Sequence, residues 1–178
     1  MSTSTPSAAP SPIAHRRGAE LALAVGGFGI GTGEFAIMGL LPNVAKDLAI
    51  SIPQAGHVIS IYALGVVIGA PVIATLAARL SRRTLLLLLM VLFAVGNIAS
   101  ALSSSYGNLM VFRFISGLPH GAYFGVASLV AASMAGVGQR AKAVGRVMLG
   151  LTLATLLGSP LATWIGQLMG WRAAFVMV

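Results

Sequence analysis

The stretch LALAVGGFGIGTGEFAIMGLL, residues 21–41, carries a single charged side chain, Glu34, and is closed by Pro42. An α-helix rises about 1.5 Å per residue, and a bilayer's hydrocarbon core is about 30 Å thick, so some 20 apolar residues suffice to cross it. This stretch has that length. It is too long for the apolar region of a secretory signal peptide, about 7–15 residues, although His15, Arg16 and Arg17 precede it as basic residues would. Its glycines Gly27, Gly29, Gly31 and Gly33 match neither G-x-G-x-x-G nor G-x-x-x-x-G-K-[ST], and they follow no strand, so they do not form a phosphate loop. Residues 21–41 read as a membrane span that is retained.

The rest of the 178-residue chain repeats the pattern. It is 57% hydrophobic and 8% charged, against about 25% charged residues in soluble domains, so it cannot coat a water-facing globule. Further apolar runs cover residues 55–78, 84–102, 109–134 and 147–168, each bounded by polar or basic residues. The second is preceded by Ser51, Ile52, Pro53 and Gln54, the S-x-x-Q pattern of a capping box with proline in the first turn. Residues 173–178 begin a sixth apolar run that rises only about 9 Å as helix, so the chain is expected to be a fragment of something larger. Residues 1–18, rich in Ser, Thr, Pro and Ala, bury no periodic apolar face and are expected to form a disordered cytoplasmic tail, with residues 19–178 as the membrane-embedded unit.

The net charge of +8 is a matter of orientation. With alternating spans, one side receives Arg16, Arg17, Arg79, Arg82, Arg83, Arg140, Lys142 and Arg146, and the other only Lys46 and Arg172. The positive-inside rule then puts the N-terminus in the cytoplasm. These cations form no continuous basic face, so no nucleic-acid partner is expected; the lipid bilayer is the partner the composition demands. With no cysteine, thiolate metal sites and cysteine nucleophiles are excluded, and no motif for a metal, a cofactor or a catalytic group is present.

Two charges remain inside spans, where each costs about 2.5–3.5 kcal/mol on insertion scales and marks a functional candidate. Glu34 lies about 12 Å below the Pro42 end of span one, and Arg113 about 7 Å below the same side of span four, a difference an Arg–Glu pair can bridge if the helices are neighbours. The alternative is an Arg113 that snorkels to the interface and an inert, protonated Glu34. His120, two turns deeper than Arg113 on its face, either exchanges a proton with Glu34 or simply bonds a neighbouring helix. Gly117, Gly121 and Gly125 recur every fourth residue in register with Arg113, as Gly150, Ala154 and Gly158 do in span five, a spacing that admits a close helix neighbour. Pro71, Pro119 and Pro160 interrupt spans two, four and five.

These residues together resemble the N-terminal half of a major facilitator superfamily transporter, from the drug:proton antiporter branch that includes sugar (arabinose) efflux and chloramphenicol-resistance permeases. The resemblance rests on Gly33-Glu34-Phe35 with Gly39-Leu40-Leu41-Pro42, on Tyr62-Ala63-Leu64-Gly65, and on Arg113 with Gly117-Leu118-Pro119-His120-Gly121. It rests equally on Gly158-Ser159-Pro160 with Thr163-Trp164, and on Gly170-Trp171-Arg172 with Phe175. The family's loop G-x-L-x-D-R-x-G-R-R appears here with Ala78 in place of the acid, retaining Arg79, Arg82 and Arg83. In span five, Ser159 separates the usually adjacent Gly and Pro.

The resemblance implies an all-α membrane protein, the N-terminal six-helix lobe with five complete spans and the start of a sixth, in the cell (inner) membrane. It implies no enzyme and no cofactor. Proton-coupled efflux of a small molecule such as a sugar or drug, by alternating access against a C-terminal lobe missing from this sequence, is the expected function. Glu34, Arg113 and His120 are its proton-coupling candidates, and Gly158 and Pro160 belong to its antiporter motif. The rival expectation is a non-transport helical subunit or scaffold that uses its glycine stripes to associate.

Overall fold

Backbone N–H and C=O groups surrounded by hydrocarbon have to bond within their own segment, which leaves helices as the natural solution for these apolar runs. The computed structural model describes residues 12–178, and every regular element among them is helical. Helix α1 spans Pro12–Phe35, a 3₁₀ turn covers Ala36–Leu40, and α2 spans Leu41–Asp47. Then follow α3 (Ile52–Leu76), α4 (Arg82–Ala101), α5 (Tyr106–Met134) and α6 (Arg140–Leu153). A π turn over Ala154–Gly158 joins α6 to α7 (Ser159–Met169), and the short helix α8 covers Trp171–Met177. Five segments are long and apolar enough to cross a membrane: Arg16–Asp47, Ile52–Leu76, Arg82–Ala101, Tyr106–Met134 and Arg140–Met169. This is a multi-pass membrane protein.

Serines define three helix starts. Ser51 accepts from the Gln54 N–H at 3.3 Å while its own N–H donates to Gln54 Oε1 at 2.9 Å, which completes the expected capping box. Ser81 caps the Thr84 N–H at 3.1 Å, and Ser105 caps the Asn108 N–H at 3.3 Å. At the other end of the sequence the helix begins earlier than composition suggests. Residues 12–18 of the expected tail belong to α1, where Arg16 and Glu20 pair one turn apart, a local contact that an average over residue types misses. Residues 1–11 of that expected tail lie outside the described residues.

Helix α5 packs on α3 and α4, α1 packs on α6 and the π turn, and α8 closes against α7 and α4. Apolar side chains lie on both sides of the helices: Ile30, Phe93 and Val147 are buried, together with the polar Glu20, Thr32, Asn97, Ser100, Arg113 and Ser116, while Leu21, Val67, Leu88, Leu156 and Leu168 face outward. Where the exterior is as apolar as the interior, close helix contact has to come from small residues. A methyl group on Gly69 would fall on the Leu118 carbonyl, and one on Gly117 on the Tyr62 carbonyl, so α3 and α5 meet backbone to backbone. Gly121 is next along the seam, against Ala70 and Val66. Gly125, expected to extend this stripe, faces open space instead. Gly117→Val is therefore expected to lower stability by about 1–3 kcal/mol, and Gly125→Val to change it by less than about 0.5 kcal/mol, as measured by thermal unfolding in detergent. Equal losses at both positions would refute this packing.

Candidate functional site

Span one breaks one residue after Glu34. Pro42 has no N–H to donate to Met38 and its ring crowds that carbonyl, so the chain tightens into the 3₁₀ turn Ala36–Leu40 before α2 resumes. Where N–H groups begin to reach back three residues instead of four, a carbonyl at the junction is left to find another donor. Arg113 of α5 supplies one, its Nη1 donating to the Gly33 carbonyl at 3.3 Å.

Arg113 is fully buried, so it does not snorkel to the interface. Its guanidinium carbon lies 4.3 Å from the centroid of the Tyr62 ring of α3 and 5.1 Å from that of Phe175 of α8, so two aromatic rings pack on the cation. Such contacts offset part of the desolvation of a buried cation, about 2 kcal/mol each at best. Its Nε and Nη2 find no hydrogen-bond partner among the described residues.

Glu34 is a quarter exposed and its Oε2 lies 3.8 Å from His120 Nδ1. The same nitrogen shares a 3.0 Å hydrogen bond with the Tyr62 hydroxyl, whose ring stands edge-on to the imidazole. Glu34, His120, Tyr62 and Arg113 thus form a continuous line of polar groups across α1, α5 and α3. The direct Glu34–Arg113 pair that their similar depths suggested is absent: among the described residues, the carboxylate's neighbour is His120 and the guanidinium's oxygen is the Gly33 carbonyl. Depth along a helix follows from counting residues, but rotation about its axis decides which side chain meets which.

Two residues of this centre were invisible as such in the sequence. Tyr62 belongs to a quoted motif, yet its position between His120 and Arg113 depends on the α3–α5 glycine seam. Asn97 of α4 is buried, donates to the Phe93 carbonyl at 2.9 Å and leaves its Oδ1 unpartnered among the described residues. A carboxamide within an apolar span was the signal that could have found it.

The other candidates lie elsewhere. Arg79, Arg82 and Arg83 are exposed around the α3–α4 connection and form no ion pair among the described residues. Gly158 ends the π turn, and a methyl group there would overlap the Thr32 hydroxyl of α1; Pro160 follows on an exposed position of α7. π turns inside helices frequently occur at functional sites, and Pro160, unable to donate, explains why the regular ladder gives way just before it. Ion pairs brace both ends of the bundle. Glu20 takes Arg146 at 2.7 Å and Arg16 at 3.6 Å, joining α1 to α6. Asp47 takes Arg172 and the Trp171 indole N–H, while Arg172 Nη2 donates to the Ser103 carbonyl at 2.9 Å.

Comparison with known proteins agrees with this architecture. The family model described as Major Facilitator Superfamily matches residues 23–178. The inner membrane transport protein YdhP of Escherichia coli (strain K12) is 49% identical over 156 residues, 88% of this chain and 40% of that protein. A chloramphenicol resistance protein of Streptomyces lividans is 34% identical over 153 residues, 86% of this chain and 39% of that protein. The chain therefore spans about 40% of the length of the curated relatives it matches. In fold, it superposes with a TM-score of 0.80 on the proton:xylose symporter XylE bound to 6-bromo-6-deoxy-D-glucose, at 18% identity, covering 94% of this chain and 42% of that one. A match to the family model over most of the described helices, with the same lobe architecture, leaves one assignment: the chain belongs to the Major Facilitator Superfamily.

Proposed function

We propose that this chain is the N-terminal lobe of a proton-coupled transporter that exports a small molecule, such as a sugar or a drug, by alternating access. One constellation supports this reading above all: the line Glu34–His120–Tyr62–Arg113, an intramembrane carboxylate beside an imidazole and a buried cation. Intramembrane acids and histidines mark proton pathways. The names of the relatives, a transport protein and a drug-resistance protein, point the same way. Glu34 takes up and releases the proton, His120 is its exchange partner, and Arg113 holds the broken end of α1 through the Gly33 carbonyl.

Alternating access requires a second bundle that rocks against this one, and the relatives have the additional length to supply it. The N-terminus lies in the cytoplasm on this reading, with Arg79, Arg82 and Arg83 as inward-facing anchors in the membrane surface. Two measurements test the proposal. In everted vesicles holding the full-length transporter, uptake of an exported compound rises with an imposed proton gradient and collapses with a protonophore; gradient-independent uptake overturns the coupling. An alkaline phosphatase fused in the 103–105 turn is active and one fused at residues 136–139 inactive; the reverse overturns the orientation.

A further inference from the structure

We propose that Asn97 and Arg113 hold internal water between them beside Gly33, and that Asn97 thereby acts as a positioning residue for the guanidinium. The positioning role rests on the transport reading above; the water site stands apart from it.

Four helices close on one small region. Arg113 Nη1 of α5 donates to the Gly33 carbonyl of α1 at 3.3 Å. A methyl group on Gly33 would lie 3.5 Å from Asn97 Oδ1 of α4, 2.7 Å from the Phe93 ring and 3.0 Å from Val178. Phe175 of α8, one turn before Val178, packs on the guanidinium. One turn along α5 from Arg113, Ser116 meets Gly96, the residue before Asn97. Asn97 and Arg113 are thus brought to the same residue of span one, and both are fully buried.

Their unpaired atoms are complementary. Arg113 keeps Nε and Nη2 without a partner among the described residues, and Asn97 keeps Oδ1. Nε–H and one Nη2–H point the same way from one edge of the planar guanidinium, a fork that a single oxygen can accept. Asn97 Nδ2 is committed to the Phe93 carbonyl at 2.9 Å, which fixes the amide and leaves Oδ1 as an acceptor only. The site therefore offers donors on one side and an acceptor on the other. Water matches both, accepting from the fork and donating to Oδ1. A halide satisfies the fork but is repelled by Oδ1, and a metal cation suffers the reverse. Buried donors and acceptors left unpaired cost their full desolvation, so an occupant that satisfies all of them is retained.

The consequence concerns Glu34. With water as a partner for its guanidinium, Arg113 carries a charge inside the bundle without drawing the carboxylate to itself. Glu34 stays beside His120, its Oε2 3.8 Å from Nδ1, where the transport reading needs it.

Radiolytic hydroxyl labelling of the purified full-length transporter tests the site, because it reaches buried side chains only beside internal water. Phe93, 1% exposed, and Phe175, 3% exposed, are expected to be labelled in the unmodified protein. Asn97→Leu and Arg113→Met should each cut that labelling roughly fivefold or more, since a buried water needs about three hydrogen bonds to stay. The double variant should lose no more than either single one, because both remove the same water. Unfolding raises labelling throughout and so does not imitate this result. Absence of labelling at both phenylalanines in the unmodified protein, unchanged labelling in either single variant, or labelling that falls when chloride is added overturns the site. Asn97→Leu should also lower proton-driven uptake roughly fivefold, the worth of one lost hydrogen bond, with downhill counterflow unchanged. Undiminished proton-driven uptake overturns the positioning role. Gradient-independent uptake by the unmodified protein overturns the transport reading instead and leaves the labelling as it was.

Discussion

Glu34→Gln is expected to abolish proton-driven efflux by the full-length transporter while preserving downhill exchange. Glutamine keeps the size of glutamic acid and some of its hydrogen bonding but cannot bind or release a proton near neutral pH. In the line Glu34–His120–Tyr62–Arg113, that is the one property removed. Accumulation against a concentration gradient should fall at least a hundredfold, about 2.7 kcal/mol of lost coupling on the scale where 1.4 kcal/mol is tenfold. Counterflow, which needs only the rocking motion and substrate binding, should stay within severalfold. The measurement is paired uptake in proteoliposomes with and without an imposed pH gradient. Undiminished concentrative uptake by Glu34→Gln removes this residue from the mechanism.

Neighbours along the line should then grade the effect. Tyr62→Phe deletes only the hydroxyl that shares the 3.0 Å hydrogen bond with His120 Nδ1. The ring beneath the Arg113 guanidinium remains, so the change isolates the orientation of the imidazole. A neutral hydrogen bond contributes about 0.5–1.5 kcal/mol, which sets Tyr62→Phe well below Glu34→Gln in consequence.

The sequence was legible wherever one dimension suffices. Hydropathy and basic punctuation located five spans, and residue counting placed Glu34 between Arg113 and His120 in depth. Ser51 and Gln54 announced a helix start because the chemistry of a cap is local. What sequence spacing left open was azimuth and neighbourhood. Gly117, Gly121 and Gly125 are equivalent by spacing, yet only the first two meet α3, while Gly125 faces open space. Pro42 read as the end of a span. In the structure it produces a 3₁₀ turn that frees a carbonyl for Arg113, a consequence that appears only once α5 is packed beside α1. Pro160 read as a kink, and the chain answers it with a π turn.

Arg113→Met is expected to leave the protein about as stable as before and to eliminate coupled transport. Burying an ammonium- or guanidinium-sized ion costs several kcal/mol even after relaxation. Against this stand one charge-assisted hydrogen bond to Gly33, about 1.5–3 kcal/mol, and two cation–π contacts of about 1–2 kcal/mol each. Those terms nearly cancel, and two guanidinium nitrogens have no partner among the described residues. Methionine fills much of the same volume, packs against Tyr62 and Phe175, and removes the desolvation, so thermal unfolding should shift by less than about 2 kcal/mol in either direction. Stability is therefore a poor reason for an arginine at this position, and function is the better one. The guanidinium donates to the Gly33 carbonyl at the break in span one, one residue from the carboxylate proposed to take the proton. Arg113→Lys sharpens the distinction: it keeps a positive charge but loses the planar group that lies over the Tyr62 ring. If charge alone matters, lysine restores coupling; if the stacked, carbonyl-bound geometry matters, lysine fails as methionine does. We expect failure of both, with folding intact in the methionine variant. A collapse of stability by several kcal/mol in Arg113→Met would instead make this residue a structural brace and take it out of the coupling mechanism.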